Sequence, residues 1–339
     1  MKTVVVIFLF VGFGLLIGLI AFYGLERVVE ALTSSGWGLF AICLFHLLPM
    51  IAAANCWRRL IPGTTSPSFW TAFTLQWVGG SVNSLLPVAQ VGGDFVRARL
   101  LTLRGVPSSI AGASVIVDLT IAVGAQIIFA CGGILMLTQY EKLDNTTFAV
   151  GIGIVILGIL ITGFTIAQRA GLFYKLTKII EKTVKVGDWT AITGGARALD
   201  EGIQSIYRSH RDLIIAAFWR IFGVIVGSGQ IMIGLHFLGH PVGVIEALIL
   251  ESMVHAVRNA AFMIPAAIGV QEGGLVLVGM IVGIGPDTAL ALSLLIRARS
   301  IVIGIPALIY WQLVESRRLI AWLNKGAKAS ADAGNSNDS

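Results

Sequence analysis

Charge is scarce in this chain: Asp, Glu, Lys and Arg make up 12% of its 339 residues, whereas soluble domains carry about a quarter. With 56% hydrophobic residues and a mean hydropathy of +0.87, the remainder is too small to form a water-facing surface. That excludes an ordinary soluble enzyme and a disordered chain. Cysteine is also rare. Cys43, Cys56 and Cys131 all lie in apolar runs without CxxC or Cys/His spacing, so they read as small buried hydrophobes rather than disulfides or zinc ligands. The five histidines form no HExxH motif, and there is neither a phosphate-cradling Walker loop nor a G-x-S-x-G elbow. No metal, no cofactor and no catalytic residue is therefore expected. The net charge of +6 reads as loop charge facing anionic inner-leaflet lipid, not as a nucleic-acid footprint.

What is abundant is apolar sequence. Runs long enough to cross a bilayer of about 30 Å lie near 3–23, 36–56, 109–137, 148–167, 213–238 and 288–312. The first follows Met1-Lys2 without an A-x-A cleavage pattern and reads as a retained signal anchor. Two further apolar stretches are broken: Phe69–Gly105 by Pro87, Gly92 and Gly93, and Val244–Gly285 by Pro265, Gly269, Gly273 and Gly274. Glycine and proline there let a chain reverse inside the membrane when protein covers the freed backbone. The expected fold is all-α and polytopic, with about six transmembrane helices plus two re-entrant helical hairpins. It forms one integral membrane domain over 1–325, followed by a small polar tail at 326–339 that reads as disordered.

Charge placement sets an orientation. With the N-terminus inside, Arg58, Arg59, Arg97, Arg99 and Arg104 fall inside, as do the basic residues of 168–212 and Arg317, Arg318, Lys325 and Lys328. The Glu141–Asp144 connection falls outside with little positive charge. All basic clusters thus share one side, and both termini are expected in the cytoplasm. Within 168–212, Leu172, Leu176, Ile179, Ile180 and Val184 share a helical face beside a stripe of Lys175, Lys178, Lys182 and Lys185. That suits a helix on the inner leaflet, or a solvated linker helix.

The broken stretches overlay at Pro87 and Pro265. Seven residues after each proline stands an acid, Asp94 and Glu272. Another proline follows at Pro107 and Pro286, and eleven residues later come Asp118 and Arg297. Repeat elements of about 69–137 and 244–312, entering from opposite sides, form an inverted repeat from which alternating access follows. A charge at the bilayer centre costs at least about 2.5–3.5 kcal/mol, so retained ones need partners or a polar cavity. Asp118 and Arg297 carry opposite signs at matching positions, which suggests a salt bridge between the halves or a ligand or gating role. Arg258 is the candidate for a lipid phosphate. Arg220 is placed to snorkel to the inner interface. Asn83, Gln90 and Gln271 satisfy hairpin backbone or touch a headgroup. Arg97 completes the translocation set, and Asp94, Glu272 and Glu251 are the possible proton carriers. His255, four residues after Glu251, reads as a polar pair within a bundle or as a relay.

The segments SVNSLLPVAQVGGDFVRARLLTLRGVP and LESMVHAVRNAAFMIPAAIGVQEGGLVLVG resemble the flippase-like transmembrane region of lysylphosphatidylglycerol synthases. Within that superfamily they look closest to the bacterial membrane proteins associated with hopanoid biosynthesis. The resemblance spans nearly the whole chain to about Arg318. It implies an inner-membrane protein that translocates lipid, with hopanoid or phospholipid as cargo, and leaves homo-oligomerisation open. Lysine transfer is not expected, because the soluble aminoacyl-transferase segment of the full synthases is missing. The contrasting readings are a membrane-embedded lipid-modifying enzyme and a scaffold for lipid-biosynthesis enzymes.

Overall fold

The computed structural model describes residues 36–63, 65–86, 92–140, 190–260 and 270–335. All ten regular elements among them are helices: α1 (Gly38–Arg59), α2 (Phe69–Leu85), α3 (Gly92–Thr102), α4 (Ser108–Tyr140), α5 (Thr190–Arg208), α6 (His210–Gly227), α7 (Gly229–Phe237), α8 (Val244–Ala260), α9 (Val270–Ile281) and α10 (Pro286–Asn335). Four stretches are long and apolar enough to cross a bilayer: Gly38–Arg59, Ser108–Leu137, His210–Phe237 and Pro286–Ser316. They coincide with four of the six expected spans. The other two, 3–23 and 148–167, lie outside the described residues, as do the lysine stripe, Pro87, Gln90, Pro265 and Gly269.

The spans are apolar all round, because one face packs and the other meets lipid. In each, only 17–39% of the most apolar window is buried. Phe40, Leu44, Ile128, Leu135, Phe218, Phe222, Val302 and Ile309 are exposed, so lipid rather than water suits the outer surface. The core behind them is divided into separate clusters. Trp57, Leu75, Val78, Leu101, Val115 and Ala307 wedge α2 and α3 among α1, α4 and α10. Ile231, Leu235, Leu250, Leu275 and Leu292 join α7, α8, α9 and α10.

Among the described residues two units share an element order: short helix, shorter helix, tight turn, long helix. At about 1.5 Å per residue, α3 and α9 span roughly 17 and 18 Å, well short of the hydrocarbon core. Each turn into the long helix contains a glycine at positive φ, Gly105 at 92° and Gly283 at 82°. Such a conformation strains any residue bearing a Cβ.

Three expectations change. The apolar run 213–238 is interrupted: α6 ends at Gly227 and α7 begins at Gly229, with Ser228 Oγ donating back to the Ile225 carbonyl at 2.7 Å. A serine hydroxyl offers the backbone a local alternative and bends the helix. The C-terminal part of 168–212 packs on protein rather than on the leaflet. Ile203, Ile206 and Tyr207 of α5 are buried with Ala113 and Val117 of α4, and Gly112 and Gly202 keep the two helices close. Finally, α10 continues to Asn335 through the tail expected to be disordered. Ala327, Ala329, Ala331 and Ala333 supply the helix propensity that its small polar character concealed.

Candidate functional site

In the first unit, two carboxylates and two guanidiniums form one buried knot. Asp94, in the first turn of α3, accepts from Arg97 NH2 at 2.5 Å, one turn along the same helix. Arg97 also reaches Asp118 on α4 at 2.8 Å, donates to Gln76 of α2, and lies 4.8 Å over the Trp57 ring. Asp118 additionally binds Arg220 of α6 and accepts from the Cys56 thiol at 3.4 Å. Arg97 and Asp118 are 3% and 2% exposed, so neither charge is paid for by water; each is held by the other.

Asn83 closes the α2–α3 hairpin. Its carbonyl oxygen accepts the Gly93 N–H at 2.7 Å, satisfying an otherwise orphaned donor at the start of α3. Its amide donates to Asp94 at 3.3 Å. Gly93 lies against the Gly79 carbonyl so closely that a Cβ would occupy the same space. Gly92 opens α3 one residue earlier.

The second unit is simpler. Glu272, in the first turn of α9, is clasped by Arg297 of α10. Gly274 faces Val257 of α8, its hypothetical Cβ 3.0 Å from the valine Cγ1, while Gly273 faces open space. Only backbone is described for Arg258, within α8.

Asp118 and Arg297 are therefore not joined across the units. Asp118 is taken by Arg97 and Arg220, and Arg297 by Glu272. Each long-helix charge pairs with a hairpin residue of its own unit, Asp118 with Arg97 and Arg297 with Glu272. Nor does Arg220 snorkel outward, because a buried carboxylate lies within its reach.

Between these two charge clusters is a cavity of about 240 Å³. Its polar lining comes from His46 (α1), Gln126 (α4), Arg220 (α6), Gln230 (α7), Glu251 and His255 (α8), Gln271 (α9) and Arg299 (α10). His46, Arg220 and Arg299 lie about 12, 15 and 20 Å along their helices from the first residue, which places them at membrane depth. His46 Nδ1 meets Gln230 Oε1 at 2.9 Å; Arg299 donates to that same Gln230 oxygen and lies 3.3 Å from His46 Nδ1. Glu251 meets His255 Nε2 at 3.2 Å. It approaches the α6–α7 break at Gly227, where a Cβ would stand 3.4 Å from its carboxylate.

Of the residues expected to serve translocation, the structure gathers Asn83, Asp94, Arg97 and Asp118 into one cluster and Glu272 with Arg297 into another. Of the members of that set whose side chains are described, Gln271 lines the cavity. Sequence reasoning missed His46, Gln126, Gln230 and Arg299 as site residues. The available signal was a lone polar side chain in an otherwise apolar span, which is a functional hint by default.

Among the described residues no group of three or more His, Cys, Asp or Glu side chains is arranged to hold a metal ion. Searches of the curated proteins and of the solved structures each found no match. Residues 4–307 match the family described as the lysylphosphatidylglycerol synthase TM region. With four helices among the described residues long and apolar enough to cross a membrane, this chain is a multi-pass membrane protein belonging to that lipid-handling family.

Proposed function

We propose that this protein is a lipid flippase of the bacterial inner membrane that moves hopanoids or phospholipids by alternating access. The observation that carries the proposal is the polar cavity at membrane depth, lined by seven helices that include members of both units. A lipid headgroup crossing the hydrocarbon region needs such a polar station, and lipid tails can remain outside against the apolar surface.

The two units support an inverted repeat. The Arg59–Asp212 ion pair at 3.7 Å brings the end of α1 to the start of α6. Arg99–Glu315 at 2.7 Å and Arg104–Tyr310 at 3.4 Å bring the end of the first hairpin to the far part of α10. The first hairpin thus starts from the arginine-rich side. The second starts after α7 has crossed to the other side, where 221–257 carries no Lys or Arg. This favours re-entrant hairpins of opposite entry and a cytoplasmic C-terminus.

Arg258, one turn beyond His255 and next to the hairpin break, engages the headgroup phosphate in this reading. The test is reconstitution into phosphatidylethanolamine–phosphatidylglycerol vesicles with a trace of NBD-labelled phospholipid, followed by dithionite quenching. Protein should speed leaflet exchange, and Arg258→Ala should cut it at unchanged thermal stability. Exchange no faster than in empty vesicles, for phospholipid and for hopanoid alike, would end the flippase reading. New lipid species in the mass spectrum would instead indicate chemistry.

A further inference from the structure

Resting on the translocation reading above, we infer that Glu251, with His255 as its exchange partner, is the proton-binding site that couples lipid movement to a proton gradient. Four carboxylates lie within the charge clusters and the cavity. Asp94 and Asp118 are tied to Arg97, Asp118 also to Arg220, and Glu272 to Arg297. Protonating any of these would leave its cluster with an unbalanced positive charge at a site largely shielded from water, which is strongly unfavourable. Glu251 differs in its partner. Among the described residues no arginine forms an ion pair with it, and the cation it meets is a histidine, 3.2 Å away. Histidine is the side chain that ordinarily changes charge near neutrality. It can release its proton and remain a hydrogen-bonding neutral ring, so Glu251 can gain or lose a proton without orphaning a fixed charge.

Geometry supplies a path and a coupling point. His255 is 31% exposed and Glu251 13%, and both line the cavity. A proton arriving on the imidazole passes from Nε2 to the Glu251 carboxylate, leaving a neutral ring and a carboxylic acid. The other charged or titratable groups lining this space are His46 on α1, Arg220 on α6 and Arg299 on α10; α9 contributes the neutral Gln271, and the Glu272–Arg297 pair is not part of the lining. α4 and α7 contribute only the neutral Gln126 and Gln230. The Arg299 guanidinium stands 3.3 Å from His46 Nδ1, where a second positive charge is repelled, which leaves His46 a poor proton carrier. Glu251 also abuts the α6–α7 break at Gly227, and the Gly133–Ser252 contact fixes α8 closely against α4. Its charge state is thus felt where a spanning helix is interrupted.

Two measurements on the full chain in lipid bilayers test this. Infrared difference spectra recorded with and without an imposed proton gradient should show a protonated-carboxyl band that Glu251→Gln removes and Glu251→Asp retains. Absence of that band, or its survival in E251Q, overturns the proton site. In proteoliposomes holding NBD-phosphatidylethanolamine, an imposed gradient of one pH unit should bias leaflet distribution by up to about tenfold for one proton per lipid. In E251Q that ratio should fall to one, whatever the residual exchange rate. Wild-type exchange indifferent to the gradient would overturn the coupling and leave the flippase reading standing. A titrating carboxyl in protein that moves no lipid would sink the flippase reading, and the coupling with it.

Discussion

The two hairpin units solve one problem in different ways. Each places an acid in the first turn of its second helix, and each must neutralise that acid at membrane depth. The second unit takes the counter-charge from its own long helix, Arg297. The first takes it from within the hairpin, Arg97, which leaves the long-helix position free to carry a second acid, Asp118. That acid requires a further base, and α6 supplies Arg220. The opposite signs at Asp118 and Arg297 thus report two local solutions. One unit is a clasp of two elements; the other is a knot reaching a third.

The largest test of this contrast is Asp118→Ala. It leaves Arg97 and Arg220 without their shared carboxylate, and breaking a buried pair costs about 3–5 kcal/mol. Thermal unfolding in detergent should show a greater loss than for Glu272→Ala, whose pair is 14% and 21% exposed. The exchanged pair Glu272→Arg with Arg297→Glu should recover stability. No single exchange in the first unit can do so, because Asp118 serves two arginines. Equal losses for D118A and E272A would erase the distinction.

A middle-sized effect is expected from the glycines. Gly93→Ala must force its Cβ into the Gly79 carbonyl, and overpacking of this kind costs about 1–3 kcal/mol. Gly273→Ala meets open space within α9, where alanine is favoured over glycine by roughly 0.5–1 kcal/mol. Melting curves should therefore move in opposite directions. A shift of the same sign in both would mean that the hairpins are packed alike.

The smallest effect is expected from Arg99→Ala. Its pair with Glu315 is short but Arg99 is 65% exposed, and exposed pairs contribute about 0.2–1 kcal/mol. Raising the salt should shrink the difference from wild type further. A loss comparable to that of D118A would make this contact part of the knot rather than a surface tie.

Composition and run length carried the membrane class and four of the spans, because both report the solvent directly. The short helices α3 and α9 start at the glycine-rich segments, at Gly92 and just before Gly273, while Pro87 and Pro265 lie outside the described residues. Charge partners were not legible in the sequence. Arg220 could be seen near the start of an apolar run, yet only the fold reveals that Asp118 lies within its reach. The Asp118–Arg297 expectation failed because register within a repeat says which positions correspond, not which ones touch. The cavity was fainter still. His46, Gln126 and Gln230 come from three separate helices, and no spacing in sequence connects them.

Gly105 and Gly283 stand at the same distance from Pro87 and Pro265, and both turn the chain with φ near 90°. The likeness of the two units is therefore recorded in a backbone angle more than in side-chain identity. A joint specified by one dihedral leaves the arms on either side free to differ, provided the angle itself is kept. That freedom accommodates a knot in one unit and a clasp in the other on the same scaffold, and it makes these two glycines the positions where a single methyl group would strain the shared geometry itself.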